Sequence, residues 1–186
     1  MKIVFIRHGE PDFSFVGKKK YIGHGLDLAQ LTENGIQITE KASHDSRFDG
    51  AEVIVSSPYT RALQTAAIIS RNRQLEIKVE LDLHEWIPDL SFQYSAEDSF
   101  ASKAEELCTK YKGVCPDNCE IMFEDFESVF SRAKSALLRY KDYKKIIVVT
   151  HSVVIRRFVA YPNIPYCGIS ELDFDESSSI TSFDYC

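Results

Sequence analysis

Two short apolar runs, one near each end of the chain, constrain the fold more than any other feature of the sequence. KIVFI at 2–6 and KIIVVT at 145–150 are rich in β-branched residues and almost free of polar side chains between their ends. Strands that are apolar on both faces are typical of the centre of a parallel sheet, where helices cover both sides. The pair therefore predicts an α/β fold.

Further strands and helices alternate between these two runs. Thr32 is a predicted N-cap, and Ser57 and Pro58 are predicted to start the helix that follows the second strand. The alternation predicts a three-layer α/β/α sandwich with a largely parallel central sheet. The predicted strands are 2–6, 52–57, 76–85 and 145–150, the predicted helices are 31–44, 57–73, 124–143 and 152–161, and 170–175 and 180–185 predict an antiparallel hairpin at one edge.

Residues 88–123 interrupt the alternation. This segment contains Pro88, Gly113 and Pro116, and only 97–111 resembles a helix. We interpret 88–123 as an irregular insertion or lid within a single domain over 1–186, a length that supports a substantial core.

Charge and composition restrict the partners and the compartment. The net charge of −6 disfavours nucleic acid and anionic membranes, so an anionic ligand needs a local basic pocket. No apolar run approaches the roughly 20 residues of a membrane span, and no signal peptide precedes the first strand, so we expect a cytoplasmic protein. The five cysteines are expected to be reduced thiols.

Charged side chains stand at the predicted carboxyl ends of four strands. In a parallel sheet these ends share one edge, and ligands bind beyond them. The sequence therefore predicts a site that contains Arg7 and His8 after 2–6, Arg61 in the first helical turn after 52–57, Glu85 at the end of 76–85, and His151 after 145–150.

Arg61 lies in an unusual place for a cation. The positive end of the helix dipole disfavours it by about 0.3–1 kcal/mol, whereas a bound anion reverses that effect. His151 precedes another predicted helix in the same way. A phosphate or carboxylate site is one interpretation, and an arginine that faces solvent or an acidic side chain is the other.

Glu85 follows an alternating strand. If that strand stays extended, Glu85 shares the buried side of Ile77 and Leu83, where apolar surroundings raise the pKa of a carboxyl group and suit it to general acid catalysis. If the strand has already turned, Glu85 is exposed and has no such role.

Four motifs in order resemble the histidine phosphatase superfamily, which includes phosphoglycerate mutases and broad-specificity phosphatases. The motifs are RHGE at 7–10, SSPYTRALQTA at 56–66, LHEW at 83–86 and VVTHS at 148–152, with LTENGIQ at 31–37 as a further similarity. The resemblance implies a phosphoglycerate mutase-like fold and a phosphohistidine on His8. It also implies that Arg7, Arg61 and His151 surround the phosphoryl oxygens, that Glu85 exchanges the proton with the leaving oxygen, and that no metal or cofactor takes part.

The sequence departs from the superfamily pattern close to these motifs. Pro11 and Asp12 follow RHGE, so Ser14 is the candidate for a polar phosphate contact there. Ser152 replaces the usual glycine after the second histidine. Ser14, Ser152 and His24, which lies in the first long loop, are the remaining predicted substrate contacts.

Several functions use the same residues. We favour a metal-independent phosphomonoesterase that acts on a small phosphorylated metabolite, as a monomer or a homodimer. A phosphoglycerate mutase-type phosphotransferase and a catalytically silent phospholigand-binding module are the alternatives. A metal hydrolase built on His8, Glu10, Glu85 and His151 is disfavoured, because Arg7 and Arg61 would repel a dication.

Overall fold

The computed structural model describes residues 1–96 and 100–181 of the chain. In this part, five strands form one sheet: β1 (Lys2–Arg7), β4 (Val53–Ser56), β5 (Ile77–Val79), β6 (Lys145–Thr150) and β7 (Ile169–Asp173). Their order is β5–β4–β6–β1–β7, and only β7 is antiparallel to its neighbour. Two short strands, β2 (Pro11–Asp12) and β3 (Gln30–Leu31), pair separately.

Helices cover both faces of the sheet. They are α1 (Ser14–Lys18), α2 (Glu33–Ala42), α3 (Thr60–Arg73), α4 (Phe100–Lys110), α5 (Phe126–Leu138) and α6 (Ser152–Phe158), with short 3-10 turns at Gly23–Leu28, Ser46–Phe48 and Leu81–Leu83.

The central strands are buried on both sides. In β1, Ile3 and Phe5 join the core formed with α4, α5 and α6, whereas Val4 and Ile6 join the core formed with α3. All four side chains are fully buried. This two-sided burial is the reason why the run is continuously apolar, and it confirms the predicted three-layer α/β arrangement with a largely parallel sheet.

Local sequence signals placed two helices correctly. The hydroxyl of Thr32 caps α2 by accepting a hydrogen bond from the Gly35 N–H at 2.8 Å. In α5, the predicted apolar stripe is buried, although the helix is shorter than the predicted 124–143. The stripe comprises Phe126, Val129, Phe130, Ala133 and Leu137, and Tyr140 continues it beyond the helix end.

The start of α3 was predicted wrongly. The helix begins at Thr60, so Ser57 and Pro58 lie outside it, and Tyr59 occupies the N-cap position without a capping side chain. The buried face is also displaced from the predicted one, because Ala67 is exposed while Ala62, Thr65, Ala66 and Ile69 are buried.

The strand predicted at 76–85 is much shorter. β5 is an edge strand that ends at Val79, and a 3-10 turn follows. Val79 and Leu81 are 51% and 72% exposed, so the alternating pattern there did not mark a buried face.

The prediction of a C-terminal hairpin was also wrong. β7 does lie at a sheet edge, but its partner is β1. Residues 180–181 form no strand, and 182–185 lie outside the described residues.

The segment 88–123 contains α4, as predicted, although 97–99 lie outside the described residues. Ala104 and Cys108 on α4 and Phe123 beyond it join the core under α5 and α6. None of the helices among residues 1–96 and 100–181 has the length and apolar character needed to cross a membrane.

Candidate active site

The pairing of β1 with β6 brings two histidines together. Arg7 lies opposite Thr150 in the parallel register, so His8 and His151 follow at the same edge of the sheet. Their ring centroids are 5.0 Å apart, and the rings meet edge to face. The predicted convergence of these two strand ends is therefore present.

Gly9 turns the chain immediately after His8. Its N–H donates to Thr65 Oγ1 on α3 at 3.0 Å. A Cβ atom at Gly9 would lie 2.6 Å from Thr39 Oγ1 and 2.8 Å from the Gly35 carbonyl oxygen on α2. Only glycine allows this close approach of α2, and the approach fixes the loop that carries His8.

The hydrogen bonds of His8 define which nitrogen is free to react. Nδ1 lies 2.7 Å from the Gly9 carbonyl oxygen, which only accepts hydrogen bonds, so we assign the proton to Nδ1. Nε2 then carries the lone pair and accepts a hydrogen bond from Arg61 Nε at 3.3 Å. Burial, and then the positive charge of Arg61, hold the pKa of His8 well below its usual value of 6.5. The imidazole is therefore neutral, and its electron pair lies on Nε2 beside Arg61.

Arg61 turns inward from the first turn of α3 and is only 6% exposed. Besides His8, it contacts Asp27, with 3.3 Å between Nη1 and Oδ1. Its guanidinium also lies 4.9 Å from the centroid of the Tyr59 ring. The interpretation that Arg61 faces an acidic side chain is therefore confirmed by Asp27, and the anion site stays a prediction.

His151 is fully buried beside His8. Its Nε2 lies 2.7 Å from the Ser57 hydroxyl. Burial, Arg61 and His8 together hold its pKa well below 6.5. Its Nδ1 has no hydrogen-bond partner among the described residues, which is uncommon for a buried polar atom.

Arg7 is held by contacts that the sequence did not reveal. Its Nη1 donates to the Ile164 carbonyl oxygen at 2.6 Å, and its guanidinium lies 4.2 Å from the centroid of the Tyr166 ring. The Tyr166 ring also lies 5.8 Å from the ring of His8. The buried Nε of Arg7 is a second nitrogen without a partner in the described part of the chain.

Glu85 reaches the site by a route that differs from the predicted strand. It follows the 3-10 turn Leu81–Leu83, which Thr150 anchors by donating from Oγ1 to the Leu83 carbonyl oxygen at 2.8 Å. The carboxylate accepts a hydrogen bond from the Trp86 N–H at 2.9 Å. Although part of Glu85 stays accessible, desolvation raises its pKa above the usual 4.5, against the opposing effect of this hydrogen bond and of Arg61. Glu85 and Arg61 line the same cavity of about 390 Å³.

The neutral, buried His8, the buried Arg61 and His151 beside it, and the carboxyl group of Glu85, whose pKa is raised, therefore lie at one edge of the sheet. Residues 3–185 match the family model of the histidine phosphatase superfamily (branch 1). The chain belongs to this superfamily.

Relatives of this histidine phosphatase chain support the same placement. The adenosylcobalamin/alpha-ribazole phosphatase of Escherichia coli K12 is 28% identical over 173 residues, which cover 87% of this chain and 81% of that protein. Phosphoserine phosphatase 1 of Hydrogenobacter thermophilus is 24% identical over 189 residues, which cover 95% and 79% of the two chains.

Solved structures share the histidine phosphatase fold. The alpha-ribazole phosphatase from Shigella flexneri superposes with a TM-score of 0.69 at 20% identity, covering 98% of this chain and 95% of that one. A mycobacterial glucosyl-3-phosphoglycerate phosphatase in complex with VO3 superposes with a TM-score of 0.71 at 18% identity. The match covers 96% of this chain and 94% of that one.

Three residues predicted as substrate contacts lie further out. Ser14 is exposed and bonds Asp12, with 2.8 Å between its N–H and Oδ1. The Ser152 hydroxyl accepts from Arg156 Nη2 at 3.3 Å. The His24 side chain is 57% exposed and approaches the site through Asp27, at 3.1 Å between Nδ1 and Oδ2. The structure brings none of these three into contact with His8.

The glutamate of the RHGE motif also faces elsewhere. Glu10 accepts hydrogen bonds from Thr32 and Asn34 at 2.8 and 2.7 Å, so it braces the start of α2. The described residues contain no cluster of three or more histidine, cysteine or carboxylate groups that could hold a metal ion.

An ion pair between Arg132 and Glu124 fixes the backbone around Glu85. Arg132 Nε lies 2.6 Å from Glu124 Oε1, and Arg132 also donates to the carbonyl oxygens of Asp82, His84 and Glu85 at 2.7, 2.8 and 3.2 Å. The Glu124 carbonyl oxygen accepts from Trp86 Nε1 at 2.6 Å. The position of the acid therefore depends on Arg132 of α5 and on Glu124, which precedes that helix, and the sequence patterns indicated neither residue.

We expect Arg132→Ala to lower the free energy of unfolding by about 3–5 kcal/mol, because it leaves Glu124 largely buried and unpaired. The two side chains are 13% and 9% exposed. Urea unfolding measures the change, and Arg139→Ala is the control, since Arg139 is 52% exposed in its ion pair with Glu80 and its removal costs about 0–1 kcal/mol. Equal effects of the two substitutions would contradict the expectation.

Proposed function

We propose that the protein is a phosphomonoesterase of the histidine acid phosphatase type. It hydrolyses a small phosphorylated metabolite through a phosphohistidine and needs no metal ion. The observation that carries this proposal is the state of His8, whose neutral ring has Nδ1 bonded to Gly9 and an electron pair on Nε2 beside Arg61. A nucleophile next to fixed positive charge is the arrangement that phosphoryl transfer requires.

In the first step, His8 Nε2 attacks phosphorus and the bond between phosphorus and the leaving oxygen breaks. The electron pair of that bond goes to the leaving oxygen, which takes the proton of Glu85. Arg7, Arg61 and His151 stabilise the charge on the phosphoryl oxygens. Two nitrogens of this cluster, Arg7 Nε and His151 Nδ1, lack partners in the described chain, which is compatible with an anionic ligand.

In the second step, the Glu85 carboxylate takes a proton from water as the water oxygen attacks phosphorus. The P–N bond breaks, its electron pair returns to His8 Nε2, and inorganic phosphate leaves. Glu85 is then protonated again, ready for the next ester. The raised pKa of Glu85 supports this role, because its acid form persists to higher pH than that of an ordinary glutamate.

The test is the hydrolysis of para-nitrophenyl phosphate in the presence of EDTA, with rapid quenching in alkali. We expect steady turnover, a burst of nitrophenol equal to the enzyme concentration when dephosphorylation is slow, and an alkali-stable phosphate on the peptide that contains His8.

Three other results would overturn the proposal. Loss of activity in EDTA that a divalent metal restores would indicate a metal hydrolase. Transfer to a second phosphate acceptor without release of phosphate would indicate a mutase. Binding of phosphate without any turnover would indicate a silent binding module.

A further inference from the structure

The leaving alcohol of the proposed reaction has a defined place in the structure. Glu85 delivers its proton to the leaving oxygen, so the alcohol must lie on the Glu85 side of the phosphoryl group. That side is the cavity of about 390 Å³ that Arg61 and Glu85 line. The rest of its wall therefore contacts the alcohol and selects it.

Aromatic side chains are the largest single group among the described residues of the cavity wall. Four rings line it, namely Phe13, Tyr59, Trp86 and Tyr94. Trp86 is 7% exposed, and its indole nitrogen is already bonded to the Glu124 carbonyl oxygen. The ring therefore offers the cavity an apolar surface rather than a hydrogen bond, as suits stacking against a flat, uncharged group.

The charged groups of the wall are mainly acidic. Asp27 lies inside the cavity, Glu105 of α4 lies exposed at its rim, and Arg61 is the one cation among the described lining residues. Arg61 donates a hydrogen bond to His8, and in the proposed reaction it binds the phosphoryl group. The part of the cavity that receives the alcohol therefore holds no free positive charge among the described residues.

The tyrosines of the wall lie where negative charge is disfavoured, mainly through burial and secondarily through nearby carboxylates. Burial raises the pKa of Tyr94 to about 12, and the charges of Asp27 and Asp89 add to this shift. Burial and Asp27 raise the pKa of Tyr59 in the same way. Both phenols resist acquiring negative charge, and an anionic substituent on a ligand would meet the same resistance.

The lysines at 18–20 do not supply the missing charge. Lys20 lines a separate shallow groove that shares only Ser95 and Ala96 with the cavity, and all three lysines are exposed. Exposed charges act weakly beyond about 8–10 Å at physiological salt. They assist the approach of a dianionic phosphate but do not pair with a group inside the cavity.

We infer that the physiological substrate is the phosphate ester of an aromatic alcohol without an anionic group, and that esters of carboxylate-bearing alcohols are poor substrates. This inference rests on the proposed function and specifies its substrate class. Glu105 is the rim residue that contributes to the discrimination without taking part in the chemistry.

Three matched esters test the charge selection. They are para-ethylphenyl phosphate, para-(aminoethyl)phenyl phosphate and para-(carboxyethyl)phenyl phosphate, whose spacers keep the reactivity of the three esters similar. We expect kcat/KM of the carboxylate ester to be about tenfold lower than that of the ethyl ester, and that of the amine to equal or exceed it. The difference shrinks as ionic strength rises.

Glu105→Gln provides the structural arm of the test. It should narrow the ratio of kcat/KM between the ethyl ester and the carboxylate ester by about threefold. Glu106→Gln is the matched control, because Glu106 is a neighbour on α4 that does not line the cavity. An identical response to the two substitutions would remove Glu105 from the proposal.

Benzyl phosphate and cyclohexylmethyl phosphate test the aromatic part. Both are esters of primary alcohols of similar size, and we expect the benzyl ester to have a severalfold higher kcat/KM. Equal kcat/KM values would overturn the aromatic preference.

The outcomes separate this inference from the proposed function. Hydrolysis of the carboxylate ester as fast as the ethyl ester overturns the charge selection and leaves the phosphatase assignment intact. Failure to hydrolyse any of the esters overturns both.

Discussion

We expect His8→Ala to abolish phosphatase activity, with a loss of roughly 10³-fold or more in kcat, while the protein stays folded. The reason is that the substitution removes the only atom proposed to bond phosphorus, and neighbouring positive charge cannot replace a nucleophile. Activity with para-nitrophenyl phosphate and the alkali-stable phosphate should vanish together. Circular dichroism and thermal unfolding check that the sheet survives.

His44→Ala is the matched control, because His44 is exposed and remote from the sheet edge. It should retain full activity. His8→Gly provides a second test of the nucleophile. Added imidazole can occupy the space that the side chain leaves and is expected to restore part of the turnover. Normal turnover by His8→Ala, with no phosphoenzyme in the wild type, would refute the covalent mechanism.

The second large effect concerns Glu85→Gln and depends on the leaving group. An alkyl alkoxide needs a proton as it departs, whereas nitrophenolate does not, so we expect kcat/KM for an alkyl phosphate to fall by about 10²–10⁴ and that for para-nitrophenyl phosphate to fall far less. Dephosphorylation slows as well, because Glu85 also activates the water. Phosphohistidine should therefore accumulate in the variant.

The pH dependence provides an independent readout for Glu85. Its pKa is raised above 4.5, so in the wild type the acid form declines only at higher pH, and this decline sets the basic limb of kcat/KM for alkyl esters. The limb should flatten in Glu85→Gln. His8, whose pKa is lowered from 6.5, stays neutral across this range and limits activity only at more acidic pH. Glu106→Gln serves as the control, and an unchanged basic limb in Glu85→Gln would rule out its acid role.

The sequence predicted the site best where a buried strand is followed directly by a site residue. The apolar runs of β1 and β6 predicted central strands, and the register of a parallel pair then required His8 and His151 to be neighbours. Glu85 shows the limit of such patterns. The alternation at 76–85 predicted a strand, but β5 ends at Val79, and a turn held by Thr150 and Arg132 delivers the carboxyl group instead.

The residues that sequence reasoning missed act over long separations. Asp27 meets Arg61 and Tyr166 meets Arg7 through contacts between distant parts of the chain. Local periodicity carries no signal for such pairs, because their partners are determined by the packing of the whole sheet. Ser14 and Ser152, by contrast, were predicted by position in a motif, and their hydroxyl groups serve Asp12 and Arg156.

The pairing of β1 with β6 also affects how the protein acquires its activity. The two strands are separated by most of the described chain, so their contact closes a long loop. Such contacts form late, since the entropy of loop closure must be overcome before they are stabilised by packing. His8 and His151 therefore become neighbours only when β6 has joined β1 in the sheet. The proposed site depends on this long-range pairing, so it is assembled only in molecules whose central sheet has formed.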